Sequence, residues 1–350
     1  MPLDRSGAMF AAAMDSVSQF VLGGALAAAA LGRRTKAWRA VVWGGVVATL
    51  PDLDVLFDHG DAIRNMTMHR GHSHSLLWLT LAAPLLAAGI AALHRERALF
   101  LRWWWAVWLA LVTHPLLDTM TIYGTQVLQP FSAHPFAIGS LFVIDPLYTF
   151  PLLVGCVVVA ACGGSQRGRR WNAAGLWLST AYAAWSLVAQ QCALSALREA
   201  VAARGLQATT LVAMPAPLQT VLWRVLAFTE THAYEGFWSL CDDAAPLQLL
   251  AIDRGRPLQD ALAASPSVAR LVAWSGDGCK VERVGDELRI ADLRFGQEPW
   301  YLFTFVVGSV GPAGVEMVQP PRKAGSRIPF GRALPWLWAR MWGERLPTPR

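Results

Sequence analysis

The chain has 350 residues, long enough for two domains, of which 54% are hydrophobic and only 15% charged. That balance, with 17 tryptophans, argues against a disordered chain and against an ordinary water-soluble one. The net charge of +6 gathers in short loops beside apolar runs, which points to a bilayer rather than to nucleic acid as its partner.

Residues 1–13 carry no motif and are set aside as an N-terminal extension; Asp4 and Asp15 bracket the first apolar patch and weaken a signal-peptide reading. Runs 16–32 and 40–51 follow, either as two tilted spans or as a re-entrant hairpin. Residues 76–93, 146–162 and 171–197 contain no Asp, Glu, Lys or Arg, and 103–117 is interrupted only by a histidine. Uncharged runs of this length predict membrane-crossing helices. The expected fold is therefore a multi-span α-helical membrane domain of about six helices over 14–203. A small soluble α+β or mainly β domain is expected over 205–330, where "KVERV", "ELRIADL" and "WYLFTFVV" read as strands. The tail 332–350 places Leu334, Leu337, Trp338, Met341 and Trp342 on one helical face. It either lies in the membrane interface or packs on the preceding domain.

With six spans, loops 33–39, 94–102 and 163–171 share one side and hold ten Lys or Arg residues, against Arg64 and Arg70 on the other. The positive-inside rule then puts both termini and both long loops on the outer, periplasmic face of a bacterial inner membrane. Cys156, Cys162, Cys192, Cys241 and Cys279 have no CxxC spacing; only Cys241 and Cys279 are candidates to pair, in an exported domain.

The polar residues that stand out all fall at helix ends on that outer side. "LPDLD" supplies Asp52 and Asp54, "HRGHSH" supplies His69, His72 and His74, and "THPLLD" supplies His114 and Asp118. A His and an Asp four positions apart project from one helical face and can reach one ion. Ionisable groups near membrane depth are costly unless paired or coordinated. Mixed imidazole and carboxylate donors suit Zn, Mn or Fe, and three Asp with three His suffice for one or two ions. Gly71 allows a tight turn, and Arg70 offers a fork to phosphate. His94 reads as an interfacial side chain and His59 as part of a solvated loop, while His72, His134 and His232 stay open.

At these residues the chain resembles a known family: bacterial inner-membrane metal-dependent hydrolases, also described as LexA-binding, inner membrane-associated hydrolase-like proteins. The stretches are "MDSVSQFVLGGAL" (14–26), "LPDLDV" (50–55), "HRGHSHSL" (69–76), "THPLLDTMTIYGTQVLQPFS" (113–132) and "IDPLYTFPLL" (144–153). "PAPLQTVLWRV" and "YEGFWSL" are similar to its long form. The resemblance implies a hydrolase; Gln19 stands where many members carry a histidine after the first Asp.

The leading expectation is a membrane-bound hydrolase of a phosphoester or other ester in a lipid or lipid-linked, amphiphilic substrate. Asp54, His69, His74, His114 and Asp118 would be direct ligands of a divalent metal, Zn first. Asp52 would bridge two ions or act as general base, and Arg70 would assist. The alternative is a non-enzymatic membrane metal-binding or regulatory protein. An ion transporter is disfavoured, because the ionisable groups sit at helix ends rather than mid-membrane.

Overall fold

The computed structural model describes residues 6–312, 314–325 and 330–349, with side chains from Ser16 onward, Phe330 excepted. Part of the expected extension 1–13, and all of its side chains, lie outside the described residues. The chain divides into two units. The first comprises residues up to Leu56, His69–Leu187 and Pro217–Gln219; the second comprises Phe57–Met68, Val188–Ala216 and the chain from Thr220 onward.

The first unit is helical. It contains α1 (Ser6–Leu31), α2 (Ala37–Thr49) and, beyond α3 (Ala62–Met68) of the second unit, α4 (Leu76–Leu93), α5 (Phe100–Thr119), α6 (Pro146–Ala161) and the first part of α7 (Gln166–Ala203). α1 and α2 form an antiparallel pair whose backbones nearly touch at Gly23 and Gly44. A Cβ on Gly23 would lie 2.4 Å from the Gly44 carbonyl oxygen, and one on Gly44 would lie 2.3 Å from that of Gly23. Small residues here let the helices pack through backbone contact. The core joins Ala25, Ala28, Val47, Ala83, Ala106, Ala110 and Leu152 across these helices.

The expectation of about six spans is not upheld. Among the described residues, one helix, Leu76–Leu93, is long and apolar enough to cross a membrane; Ser16–Leu31 and Pro146–Ala161 are shorter apolar helices. The reason is physical. α2 stops after 13 residues at Pro51, which has no N–H to continue it, and α6 begins at Pro146 and ends after 16. At 1.5 Å per residue, 16 residues reach about 24 Å, against a hydrocarbon core of about 30 Å. α5 and α7 are long enough but too weakly apolar, because α5 is diluted by Trp, Thr, His and Pro and α7 by Trp, Ser, Gly, Asn and Gln. The alternation of loops that rested on six spans loses its basis with them.

In the second unit β1 (Thr210–Pro215), β2 (Leu222–Phe228), β3 (His232–Ser239) and β4 (Leu250–Asp253) form one antiparallel sheet in sequential order. α8 (Arg256–Ala261) and α9 (Pro266–Ser275) lead to β5 (Cys279–Val284) and β6 (Glu287–Asp292). After the short pair β7 (Gly296–Gln297) and β8 (Trp300–Tyr301) come β9 (Thr304–Gly311) and β10 (Gly314–Lys323). The second sheet has the order β10-β9-β6-β5. Every residue of β2 is buried, so its one charge, Arg224, is held by Glu235 on the neighbouring strand at 2.6 Å. α3 packs on α9 and β10. In α10 (Phe330–Met341), Trp336 is buried and Arg340 binds Asp242 through Nη1 and Nη2, while Leu334 and Trp338 are exposed. Cys241 and Cys279 are free thiols.

Candidate metal centre

Four side chains converge inside the first unit. Asp52 enters on a 3-10 turn, Pro51–Leu56, that follows α2 directly. His74 sits on a second such turn, His72–His74, fixed to the next helix by Ser75, whose hydroxyl caps α4 by accepting the Trp78 amide. His114 and Asp118 come from the last turns of α5, four residues apart on one face. His74 and His114 are fully buried, Asp118 is 1% exposed and Asp52 is 8% exposed.

The four ligand atoms lie within 4.8 Å of one another. Nε2 of His74 is 3.0 Å from Nε2 of His114. It lies 3.3 Å from Asp52 Oδ1 and 3.2 Å from Asp118 Oδ2. His114 Nε2 is 3.4 Å from each of the same two oxygens. A tetrahedral ion with bonds of about 2.0–2.1 Å has ligand edges of about 3.3–3.4 Å. The four imidazole–carboxylate edges, 3.2–3.4 Å, are therefore close to those of one four-coordinate ion, while the 3.0 Å separation of the two imidazole nitrogens is shorter.

Protein chemistry alone leaves the group poorly satisfied. Two imidazole Nε2 atoms face each other, and Asp52 Oδ2 and Asp118 Oδ2 are buried without a hydrogen-bond partner among the described residues. Four lone-pair donors turned toward one point fit a cation. Burial opposes charge on His74, but hydrogen bonds and charges from Asp118 and Asp52 outweigh it and raise its pKa to about 9. The His74 proton thus occupies the electrostatic position an ion would take. Burial pushes the Asp52 carboxyl up, and His114 and His74 together overcome this and hold it well below the usual range.

The remaining residues expected at the site are placed around this group. Asp54 Oδ1 is 2.7 Å from His69 Nδ1, and its Oδ2 accepts from the Arg70 amide at 3.0 Å and the Ser73 hydroxyl at 2.5 Å. Ser73 Oγ also lies 2.9 Å from His74 Nδ1, so Asp54 orients His74 through Ser73. His ligands of metals are commonly steered in this way. Burial raises the Asp54 carboxyl, and the hydrogen bond and charge of His69, with the charge of His74 and the Ser73 hydroxyl, together outweigh it and lower the pKa. Arg70 is 3% exposed and takes a left-handed backbone, with φ of 62°. Its guanidinium lies 3.3 Å from Asp118 Oδ1 and 3.1 Å from Thr121 Oγ1, over the ring of Tyr123. It holds Asp118 and is turned away from any surface role as a fork.

His72 and His134 are exposed. His232 lies on β3, and His94 accepts a 2.6 Å hydrogen bond from the Trp43 indole. The contribution that spacing did not reveal is Gln19 of α1. It is fully buried and donates to Asp118 Oδ1 at 2.9 Å and to the His114 carbonyl at 3.2 Å. Its signal in the sequence was a lone amide inside an otherwise apolar run.

Fold and site together define a protein with a helical unit, an antiparallel β-sheet unit and a buried two-His, two-Asp group of a kind that could hold a metal ion. The family model described as "YdjM inner membrane protein" matches residues 14–193, just over half of the chain, and the chain belongs to that family. It is 26% identical over 308 residues to "Uncharacterized protein YfhP" of Bacillus subtilis (strain 168), covering 84% of this chain and 90% of the relative. It is 38% identical over 109 residues to "Inner membrane protein YbcI" of Escherichia coli (strain K12), covering 30% of this chain and 62% of the relative. No solved structure matches.

Proposed function

We propose that this protein is a metal-dependent hydrolase of the inner membrane that cleaves a phosphoester or other ester in a lipid or lipid-linked molecule. The observation that carries the reading is the buried convergence of Asp52, His74, His114 and Asp118, whose ligand atoms lie within 4.8 Å of one another. Zn suits this donor set, with Mn or Fe as alternatives. A divalent ion there supplies Lewis acidity, polarising an ester oxygen and lowering the pKa of water. His74, His114 and Asp118 hold position, steadied by Ser73, Gln19 and Arg70. Asp52 is the most exposed of the four, and its unpartnered Oδ2 is the atom available to accept a proton from attacking water.

The test is headgroup release from total bacterial lipid by protein reloaded with Zn, Mn or Fe(II). Release by the wild type, lost in Asp52→Asn with metal retained, supports the reading; no release under any metal refutes it. One feature favours a second reading, a metal-binding protein without catalysis: all four positions are filled by protein, as in structural zinc sites, whereas catalytic sites keep one open. Full metal loading, strong thermal stabilisation and no turnover of monoesters, diesters or carboxyl esters would decide for it.

A further inference from the structure

The first unit has a groove of about 440 Å³, within the usual range for a small-molecule site. It runs between α1, α2 and α6, and its lining is almost wholly hydrocarbon: Phe20, Val41, Val157 and Ala160, with Ser16 and Thr49 at one end. Its direction follows from the packing. α1 and α2 are antiparallel, so Ser16 of α1 lies at the Thr49 end of α2 and Val41 at the other. Ser18 meets Thr149 at 2.6 Å and the Cys156 thiol reaches the Val21 carbonyl, so α6 runs alongside α1 and carries Val157 and Ala160 to the far end. From Thr49 to Val41 is about 12 Å of helix.

The polar end of the groove is the end nearer the metal centre in the chain. Thr49 stands three residues before Asp52, and Phe20 directly follows Gln19, which holds Asp118. We propose that this groove binds the alkyl chain of an amphiphile, tail toward Val41, Val157 and Ala160, with its polar head toward the Asp52/His74/His114/Asp118 centre. The proposal deepens the hydrolase reading and rests on it for the fate of the headgroup. It assigns the substrate class as a single-chain or acyl-bearing ester whose tail is recognised separately from the reacting group. The complementarity is of two kinds: hydrocarbon against an apolar wall, and an oxygen-rich head against a site built for a cation. Val17 and Val157 are about half exposed, leaving the groove open along its side to a chain entering from surrounding lipid.

The test uses full-length protein and two photo-crosslinking probes, dodecyl phosphates with a diazirine next to the head or at the tail terminus. Mass spectrometry maps the adducts. The head-proximal probe should label around Ser16 and Thr49, and the tail probe around Val41, Val157 and Ala160. Val157→Trp, which fills the far half, should cut tail labelling by about tenfold, the effect of excluding two buried methylenes, with metal content unchanged. Val17→Trp provides an independent obstruction from α1. Labelling spread over the exposed faces of α4 and α7, reversed polarity, or yields unchanged in both variants would overturn the proposal. The map needs no turnover. Groove labelling without ester cleavage upholds the groove and refutes the hydrolase reading, whereas cleavage indifferent to chain length without groove labelling does the reverse.

Discussion

Two buried charge clusters in this protein are built on opposite principles. In the second unit, Asp292 is fully buried and Arg294 nearly so, and the pair is self-sufficient. Asp292 Oδ1 accepts from the Arg294 amide and Nε at 3.0 Å, and Oδ2 accepts from Nη2 at 2.7 Å. Both carboxylate oxygens thus meet N–H protons of a charge-assisted, bidentate pair. In the first unit, Asp52, His74, His114 and Asp118 crowd four potential ligand atoms together with too few protons to share among them, and Asp52 Oδ2 and Asp118 Oδ2 make no well-directed hydrogen bond. Burial of charge by itself is therefore no sign of function; burial of groups that do not complement one another is.

The sharpest break of that comparison removes one member from each cluster. His114→Ala, which strands no buried arginine, should abolish bound metal, and any hydrolysis with it, while the helical unit stays folded. Asp292→Ala should leave metal content intact and instead cost roughly 3–5 kcal/mol of stability by stranding Arg294. Elemental analysis beside thermal denaturation separates the two outcomes.

Chelation comes next in size. An ion present at a hundred times its dissociation constant adds about 2.7 kcal/mol of stability. A chelator should lower the melting temperature of the wild type and leave that of His114→Ala unmoved.

The comparison also explains what the sequence made legible. The His114/Asp118 pair was visible because a four-residue spacing on a helix fixes a shared face. The split within "PDLD" and "HRGHSH" was not, since short 3-10 turns decide which of Asp52 or Asp54, and which of His69, His72 or His74, points inward. Gly71 looked like the hinge, yet the left-handed backbone falls on Arg70, whose amide and guanidinium are both engaged. Strand-forming runs such as "KVERV" and "ELRIADL" coincide with β5 and β6, because alternation and turn residues are local signals. The span count failed because it counted uncharged residues, where crossing depends on helix length and strongly apolar content. The Gly23–Gly44 contact and the prolines at 51 and 146 instead give short helices packed on one another.

The pH dependence sharpens the comparison further. In metal-free protein the His74 pKa is raised from 6.5 to about 9. Its charged form therefore contributes stability fully below pH 6.5, and that contribution is lost as pH rises through about 9. The melting temperature of chelated protein should fall across this window, and metal affinity should rise across it, because the ion displaces the proton. A flat profile in chelated wild type would contradict the assignment.

The smallest effect belongs to Gln19. Gln19→Leu removes the donor to Asp118 Oδ1 and should weaken metal affinity by about tenfold, the low end for supporting partners of ligands, with stoichiometry kept. A titration with a competing chelator reads it, and unchanged affinity would reduce Gln19 to a packing residue.

The central claim, one ion held by two imidazoles and two carboxylates, is tested most directly by X-ray absorption at the edge of the metal bound to purified wild-type protein. The account predicts one ion per chain, with four N/O ligands near about 2.0–2.1 Å and outer scattering from two imidazole rings. A protein that binds no stoichiometric ion, a sulfur ligand, or a second metal at about 3.5–4 Å would contradict it.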